Sequence, residues 1–212
     1  MRLSPCSGLA NAAELIGPAR IVDGDTVEVS GTVIRLHGID APEAGQKCSL
    51  PSGRNWPCGE MAMDRLAELS GKRVSCKGTD TDMYGRLLGI CSSPEGKNIN
   101  EVMVAEGLAW AFRKYSSDYA SAEDRAKASG IGIWRANTET PWDYRAAKWI
   151  VAKQVAPQGC PIKGNISENG HVYHTPWSPW YTRTKVTASK GERWFCTERE
   201  ALDAGWRAAA WR

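Results

Sequence analysis

The sequence lacks any long apolar run, and this absence excludes a helical membrane span. No stretch approaches the roughly 18 consecutive apolar residues that such a span needs. CxxC and HExxH patterns are also missing, which disfavours a zinc enzyme. There is no internal repeat and no low-complexity run. Apolar residues make up 42% and charged residues 24% of the 212 residues, which is typical of a globular protein and too apolar for a disordered one.

The chain has little excess of charge, and the excess is unevenly distributed. The net charge of +3 does not by itself indicate a nucleic-acid-binding protein. Residues 1–159 hold 19 basic and 19 acidic residues, whereas residues 160–212 hold 8 and 5. Five of the ten tryptophans also lie in that last segment. The composition therefore changes near residue 159, where we place a domain boundary.

Seven cysteines form an odd number, which needs an explanation in an oxidised protein. Ala10-Asn11-Ala12 reads as an A-x-A processing site, although the basic and apolar segments that should precede it are missing. Cleavage after Ala12 would remove Cys6 and leave six cysteines for three disulfides. We therefore predict an exported protein, periplasmic or secreted. The alternative is that residues 1–12 are a disordered tail and every thiol is free.

Local patterns predict an α+β fold, a five-stranded β-barrel of the OB type with helices. β-rich runs fill residues 19–36 and are divided by the hairpin turns Asp23-Gly24 and Ser30-Gly31. We predict further strands at 73–77 and 87–91, and helices at 61–69, 100–106, with Asn100 as its N-cap, and 118–129. The predicted organisation is a signal-peptide remnant or tail (1–12), the OB domain (13–137), a partly helical connector (138–159) and a small module (160–212).

Charged residues suited to phosphodiester chemistry gather in three clusters. Asp25, Asp40 and Glu43 offer hard oxygen donors beside turns, where a calcium site can form. Arg35 and Arg86 offer planar forks that match the oxygens of a phosphate. Taken singly, each has an ordinary structural explanation, since Asp-Gly is a common hairpin turn and Arg35 suits an exposed strand position.

The joint pattern of these clusters resembles the thermonuclease, or staphylococcal nuclease, family. The resemblance rests on the motifs DGDT at 23–26, RLHGIDAPE at 35–43 and DMYGR at 82–86, and it is weaker at 100–109 and 132–134. The resemblance covers about residues 18–136. It implies an OB-type barrel and a calcium-dependent enzyme that hydrolyses DNA and RNA.

The resemblance also implies a metal site and a base. Asp25 and Asp40 resemble the family's metal-binding carboxylates, and Ala41 stands where a backbone carbonyl is a ligand. Glu43 resembles the carboxylate that positions or deprotonates the attacking water. The cofactor implied by this set is Ca²⁺.

Phosphate and nucleotide contacts follow from the same resemblance. Arg35 and Arg86 resemble the phosphate-binding pair, Tyr84 matches an aromatic residue near the nucleotide, and Tyr115 matches a second one less closely. The implied reaction is attack of water on phosphorus, with the 5′-oxygen leaving. Met83 departs from the best-known member, which has lysine there, and this weakens an expected contact to a terminal phosphate.

Cysteine positions suggest three disulfides. Cys48–Cys58 brackets part of a long loop and looks like a replacement for a family loop, while Cys76–Cys91 lies where a hairpin would pair its ends. For residues 160–212 we favour Cys160–Cys196, because about fifty residues bury little core without a crosslink. The alternative is zinc held by both thiolates with His171 or His174.

The role of residues 160–212 stays open at the level of sequence. The segment resembles a small module of bacterial nuclease-like proteins, the sunset domain. Basic residues interleaved with tryptophan and tyrosine would suit phosphate contact and stacking, and the basic ones are Lys163, Arg183, Lys185, Lys190, Arg193 and Arg207. A structural cap whose aromatic residues form its own core is the alternative.

Two other functions remain to be weighed against a nuclease. One is a nucleic-acid-binding protein on the nuclease scaffold, although binding alone would not require Glu43. The other is an accessory role in surface-polysaccharide production, for which no residue handles sugars in an identifiable way. We expect DNA or RNA as the partner and a monomer as the state of the chain.

Overall fold

The N-terminal part of the chain folds around a curled, mixed sheet of six strands. The computed structural model describes residues 13–150, 156–157 and 159–209. Strand order across the sheet is β1-β8-β9-β4-β3-β2, and only the β4–β9 pair is parallel. In chain order the strands are β1 Ala13–Gly17, β2 Ala19–Asp23, β3 Thr26–Val29, β4 Thr32–Leu36, with β8 Val74–Thr81 and β9 Leu87–Ser92 returning later.

Short strand pairs and helices close the rest of this domain. β5 Ile39–Asp40 pairs with β10 Trp110–Ala111, and β6 Cys48–Ser49 pairs with β7 Asn55–Trp56. Helices pack around the sheet and enclose a core of aliphatic and aromatic side chains together with two disulfides. The helices are α1 Cys58–Ser70, α2 Ile99–Ala105, α3 Ala120–Ala128, the 3-10 turn Gly132–Arg135 and α4 Pro141–Ile150.

The predicted α+β, OB-like class is confirmed, with two local differences. An additional strand, β1, pairs with β8 at the sheet edge, and its short sequence carries no strong strand pattern. The predicted N-cap at Asn100 is wrong, because Asn98 caps α2 and accepts a hydrogen bond from the Glu101 amide. Asn100 is instead fully buried, where its side chain binds the carbonyls of His37 and Gly89 and the amide of Cys91.

Residues from 160 onward form a second unit with its own core. A four-stranded sheet of order β13-β11-β12-β14 is completed by helix α5. Buried Tyr173, Phe195 and Trp206 pack at its centre, which supports a structural role for at least these aromatic residues. The elements are β11 Ile162–Ser167, β12 Gly170–His174, the 3-10 turn Ala188–Lys190, β13 Arg193–Phe195, α5 Glu198–Asp203 and β14 Arg207–Ala208.

Lys163 does not belong to an exposed basic surface, contrary to the expectation from sequence. Its side chain is 1% exposed and its ammonium donates to the carbonyls of Tyr181 and Thr184, at 2.9 and 2.7 Å. Lys163 therefore stabilises the loop at 181–184 of the second unit and is not available for contact with a phosphate.

Each of the three cysteine pairs suggested by the sequence is bonded in the structure. Cys76 and Cys91 face each other directly across the β8–β9 pair. Cys48–Cys58 ties the loop after β5 to the start of α1, and Cys160–Cys196 ties the beginning of the second unit to the start of α5. Since both sulfurs of the last pair are joined, they are not available as thiolates, and the zinc alternative at this pair is wrong.

None of the helices among the described residues is both long and apolar enough to cross a membrane. The proposed processing site at 10–12 and Cys6 lie outside the described residues, as does the part of the predicted connector at 151–155.

The three disulfides predict a thiol count. Denatured, unreduced protein should show no free thiol, or a single one where Cys6 is retained, when titrated with a chromogenic disulfide reagent. A reduced sample of the same preparation is the control and should show every cysteine. Six or seven free thiols before reduction would contradict the oxidised state and the export inferred from it.

Burial of His174 predicts a loss of stability on acidification. Burial, assisted by the nearby charge of Lys163, lowers the pKa of His174 from 6.5 to about 4. Between these values the unfolded chain takes up a proton that the folded chain refuses, so the free energy of unfolding falls as the pH drops below about 6.5. Above that pH the group contributes no pH dependence.

We expect His174→Asn to remove about 2 kcal/mol of the stability difference between pH 7 and pH 5, measured by urea unfolding. His171→Asn, at an exposed position on the same strand, is the matched control and should leave the pH dependence unchanged. Identical pH profiles for the wild type and His174→Asn would refute this assignment.

Candidate active site

The residues of the candidate site come from one corner of the curled sheet. Asp25 lies in the turn between β2 and β3, and its carbonyl accepts a hydrogen bond from the Leu36 amide at 2.8 Å. Arg35 lies opposite Thr26 in the β3–β4 pair, so its side chain starts beside Asp25. Asp40 is fixed by β5, where it pairs with Trp110. Regular strand pairing thus brings the first two motifs together.

Backbone contact with α1 fixes the loop that carries Glu43. A Cβ on Gly59 would lie 1.8 Å from the Glu43 carbonyl oxygen, so no other residue fits there without moving the loop. Gln46 closes the loop, because its amide donates to the Glu43 carbonyl at 2.7 Å and its side-chain oxygen accepts from the Glu43 amide at 3.1 Å. Its side-chain nitrogen reaches the Glu139 carbonyl at 2.7 Å. The disulfide to Cys58 holds the same loop further along.

Arg35 bridges the two aspartates that the sequence singled out. Its Nη1 donates to Asp25 Oδ1 at 2.7 Å and its Nη2 to Asp40 Oδ1 at 2.6 Å. The other oxygen of Asp25 accepts from the Ala41 amide at 2.9 Å. Both aspartates are almost completely buried, so these charged hydrogen bonds compensate a large desolvation cost.

A third guanidinium, that of Arg145 on α4, enters the cluster. Its Nη1 lies 2.6 Å from Glu43 Oε1 and 3.0 Å from Asp40 Oδ1, and its Nη2 lies 2.6 Å from Asp40 Oδ2. The other oxygen of Glu43, Oε2, is buried and receives no hydrogen bond from the described residues. The sequence analysis did not include Arg145, since a single arginine more than 100 residues from Asp40 carries no motif.

Burial and neighbouring charges shift the pKa values of the carboxyl groups in different directions. Burial, together with nearby Asp23, raises the pKa of Glu43 well above its usual range. Burial also raises the pKa of Asp23 to about 6 and raises that of Asp25. Burial acts in the same direction on Asp40, but the guanidiniums of Arg35 and Arg145 outweigh it and hold the pKa of Asp40 below its usual range. The cluster therefore combines a firmly ionised carboxylate with others that hold protons more tightly.

Arg86 is presented by the tight turn between β8 and β9. Asp82 caps this turn, with Oδ1 accepting from the amides of Tyr84 and Arg86 at 2.9 and 3.0 Å. Its other oxygen, Oδ2, pairs with Nε and Nη2 of Arg86, each at 2.7 Å. Gly85 completes the turn with a positive φ of 79° that other residues rarely adopt. Arg86 is 5% exposed, so its guanidinium is oriented by neighbouring protein groups rather than by solvent.

A cavity of about 630 Å³ joins the arginines to a set of aromatic side chains. Arg35, Arg86 and Arg145 all contribute to its wall. Its aromatic lining consists of Tyr84, Phe112, Tyr115, Trp142 and Trp177. Of the predicted nucleotide contacts, Tyr84 is half-buried against Trp177, and Tyr115 is 62% exposed at the edge of Phe112.

The structure thus brings the predicted site residues to one place. Asp25, Arg35, Asp40 and Ala41 are joined by hydrogen bonds, and Glu43 is linked to them through Arg145. Arg86 lines the same cavity as Arg35. Four contributors were not predicted, namely Arg145, Phe112, Trp142 and Trp177. Arg145 and Trp142 lie on α4, Phe112 follows β10 and Trp177 belongs to the second unit.

Comparison with known proteins identifies the family to which the chain is related. A family model described as staphylococcal nuclease homologue matches residues 33–136, and a second model, described as ArfC, matches residues 143–208. The succinoglycan biosynthesis protein ExoI of Rhizobium meliloti (strain 1021) is 40% identical over 134 residues, which are 61% of this chain and 70% of that protein. A micrococcal nuclease of Shigella flexneri is 36% identical over 146 residues, covering 60% and 78% of the two chains.

An uncharacterized endonuclease of Escherichia coli O157:H7 is 34% identical over 137 residues, covering 61% of this chain and 83% of that protein. The chain belongs to the staphylococcal nuclease homologue family. This membership places it in a class of enzymes that hydrolyse the phosphodiester bonds of nucleic acids. The resemblance of residues 160–212 to a sunset domain stays a prediction, and Arg145 and Trp177 fall within the ArfC match.

Proposed function

We propose that the protein is an exported, calcium-dependent nuclease that cleaves DNA or RNA in the cavity between the curled sheet and α4. The observation that carries this proposal is the convergence of Arg35, Arg86 and Arg145 on one cavity, with buried carboxylates directly behind two of them. A phosphodiester brings one negative charge and oxygen acceptors that match such forks. Phosphoryl-transfer transition states carry more charge on the equatorial oxygens, which these groups would stabilise.

Arg35 and Arg86 would bind the scissile phosphate. Both guanidiniums are held by carboxylates, Arg35 by Asp25 and Asp40, and Arg86 by Asp82, so neither needs to be ordered when substrate arrives. Donors that are fixed beforehand are worth more to the transition state than flexible ones.

Glu43 would orient the attacking water and accept its proton. Its raised pKa makes the carboxylate a stronger base than an exposed glutamate. The unpartnered Oε2 is buried at the end of a rigid loop, where a single acceptor can hold a water in a defined position.

The carboxylates present fit a hard divalent cation. Asp25, Asp40 and Glu43 supply only oxygen donors, which Ca²⁺ prefers, and Asp23 is a further acidic neighbour of Glu43. In this conformation guanidiniums neutralise them, and no three acidic, histidine or cysteine side chains of the described part converge on a point suited to a metal. When bound, Ca²⁺ would supply charge neutralisation at the phosphate. It would have to compete with Arg145 for Asp40 and Glu43.

Aromatic side chains of the cavity would hold the nucleotides on either side of the bond. Tyr84 and Tyr115, the nucleotide contacts predicted from sequence, line this cavity together with Trp142 and Trp177. Stacking on such rings tolerates any base, which suits an enzyme that accepts DNA or RNA. Three disulfides favour an oxidising compartment and so support export.

A role in surface-polysaccharide production is the second candidate, because one relative is named as a succinoglycan biosynthesis protein. The cavity favours the nuclease. Three guanidiniums lining it match a phosphodiester, whereas glycoside hydrolysis uses two carboxyl groups that flank a sugar. A binding protein without turnover would not need Glu43 buried beside the site.

The first test removes the proposed base. Glu43→Gln should lower kcat on plasmid DNA or RNA by a factor of about 10²–10⁴, because the amide cannot accept the proton of the water. Wild-type activity should require Ca²⁺ and disappear with excess chelator. Glu68→Gln, an exposed glutamate on α1, is the matched control and should retain activity. Cleavage that persists in Glu43→Gln or in chelator would refute the proposal.

The second test concerns competition between Arg145 and the cation. Arg145→Ala should lower the free energy of unfolding without Ca²⁺ by about 3 kcal/mol, since buried Asp40 and Glu43 lose a shared partner. The same variant should bind Ca²⁺ more tightly by calorimetry and recover stability when Ca²⁺ is added.

Arg65→Ala, which breaks an ion pair with Glu106 at the surface, is the control for the loss of an arginine. It should change neither the affinity for Ca²⁺ nor the response of stability to Ca²⁺. A weaker or unchanged affinity in Arg145→Ala would show that Arg145 and Ca²⁺ do not compete.

A further inference from the structure

The second unit is docked on the turn that presents Arg86. The Glu198 amide, at the start of α5, donates to the Tyr84 carbonyl at 2.6 Å. A Cβ on Gly85 would lie 3.1 Å from Arg199 Cβ, so the approach is close. Tyr84 and Val22 of the nuclease domain also pack against the aromatic core of the second unit. The two units therefore share an interface at the cavity wall.

Glu198 is the buried charged residue that α5 brings to this interface. The side chain is 1% exposed. Its Oε2 accepts a hydrogen bond from the Tyr173 hydroxyl at 2.6 Å, and its Oε1 lies 3.4 Å from Nε of Arg86 and receives no hydrogen bond. Burial raises the pKa of Glu198 while the charge of Arg86 opposes that rise. A buried carboxylate oxygen of the second unit thus lies close to Nε, the guanidinium nitrogen that also donates to Asp82.

Trp177 bounds the same guanidinium with an aromatic face. Arg86 Cζ lies 5.0 Å from the centre of the Trp177 ring and 5.6 Å from that of Tyr84. The two rings meet edge to face with centres 4.7 Å apart. Both distances are within the range in which a guanidinium is attracted to a ring face. Arg86 is therefore enclosed by Asp82 and Tyr84 of its own turn and by Glu198 and Trp177 of the second unit.

We infer that the second unit is a working part of the nuclease site, in which Glu198 and Trp177 position Arg86 for the phosphate. The inference rests on the proposed function of Arg86. An arginine side chain loses rotamer entropy when it is ordered, and a guanidinium held by a carboxylate and a ring face has already lost it. Asp82 alone fixes one edge of the fork. Glu198 and Trp177 fix its plane, on which a two-point contact to a phosphate depends.

A double-mutant cycle separates positioning from general stability. The variants are Glu198→Gln, Arg86→Lys and the combination of both. Glutamine keeps an acceptor for the Tyr173 hydroxyl but removes the charge that faces Arg86. We expect Glu198→Gln to lower kcat/KM on a single-stranded oligonucleotide about tenfold in the wild-type background and less than about twofold in the Arg86→Lys background, because its effect passes through the guanidinium.

Glu192→Gln is the matched control. Glu192 is the other well-buried glutamate of the second unit, and it accepts hydrogen bonds from the Ile166 and Thr187 amides inside that unit. This substitution should lower the melting temperature without changing kcat/KM well below it. Trp177→Phe should retain more activity than Trp177→Ala, since phenylalanine keeps a ring face over Arg86.

Binding measured in chelator makes the inference testable independently of cleavage. The four proteins are the wild type, the two single variants and the double variant, and their affinity for that oligonucleotide is measured by fluorescence anisotropy. Glu198→Gln should weaken binding in the wild-type background and have little effect in the Arg86→Lys background. If the wild type binds but does not cleave, the proposed nuclease function fails while the binding cycle still decides whether Glu198 acts through Arg86. Equal losses in both backgrounds, or no loss in Glu198→Gln, would overturn the inference.

Discussion

The structure of the site depends on the pairing of buried carboxylates with guanidiniums at one corner of a curled sheet. Asp25, Asp40 and Glu43 are each 3% exposed or less, and leaving their charges unpaired would cost several kcal/mol apiece. Arg35 and Arg145 make these charges tolerable by sharing them, with Asp40 bound to both. This arrangement stores negative charge close to a cavity whose wall is positive. This division of charge is the basis on which a phosphate and a cation are proposed as ligands of the site.

Close backbone contacts hold the loop that carries Glu43 in place. The carbonyl of Glu43 rests against Gly59 so closely that no side chain fits between them. The Cys48–Cys58 disulfide and the hydrogen bonds of Gln46 close the same loop from its far end. A loop fixed at both ends keeps Glu43 in place even though the carboxylate has one unpartnered oxygen. Catalysis by oriented groups requires this kind of support, since small displacements of a base are costly.

Sequence reasoning could predict the part of the site that is local in the chain. The β3–β4 hairpin brings Arg35 beside Asp25, whereas Asp40 is held by pairing with Trp110 and Glu43 by contact with α1. The motifs and their resemblance to the family therefore predict these four residues, and the hairpin explains only the first two. Arg86 follows from its own turn motif, Asp82 to Arg86. Arg145 could not be predicted in this way, because its partner Asp40 is 105 residues away and only the packing of α4 on the cavity joins them.

The same reason explains the misassigned Asn100 and the overlooked strand β1. Asn98 and Asn100 are equally good caps by residue type, and only the tertiary contacts of Asn100 with His37 and Gly89 decide between them. β1 exists because the β8 edge is available for pairing, a fact about the sheet rather than about residues 13–17. The sequence motifs therefore identify the candidate site residues, and long-range packing determines which other residues surround them.

The buried carboxylate of Glu198 in the second unit is best explained by its contact with Arg86. A unit of about fifty residues has little core, and Tyr173, Phe195 and Trp206 together with a disulfide supply what it has. Burying the carboxylate of Glu198 works against that small reserve of stability, because an ionised group loses its hydration there. An apolar residue at this position would serve a purely structural cap better. One oxygen of this carboxylate accepts the Tyr173 hydroxyl within the unit, and the other faces the charge of Arg86 at the wall of the cavity.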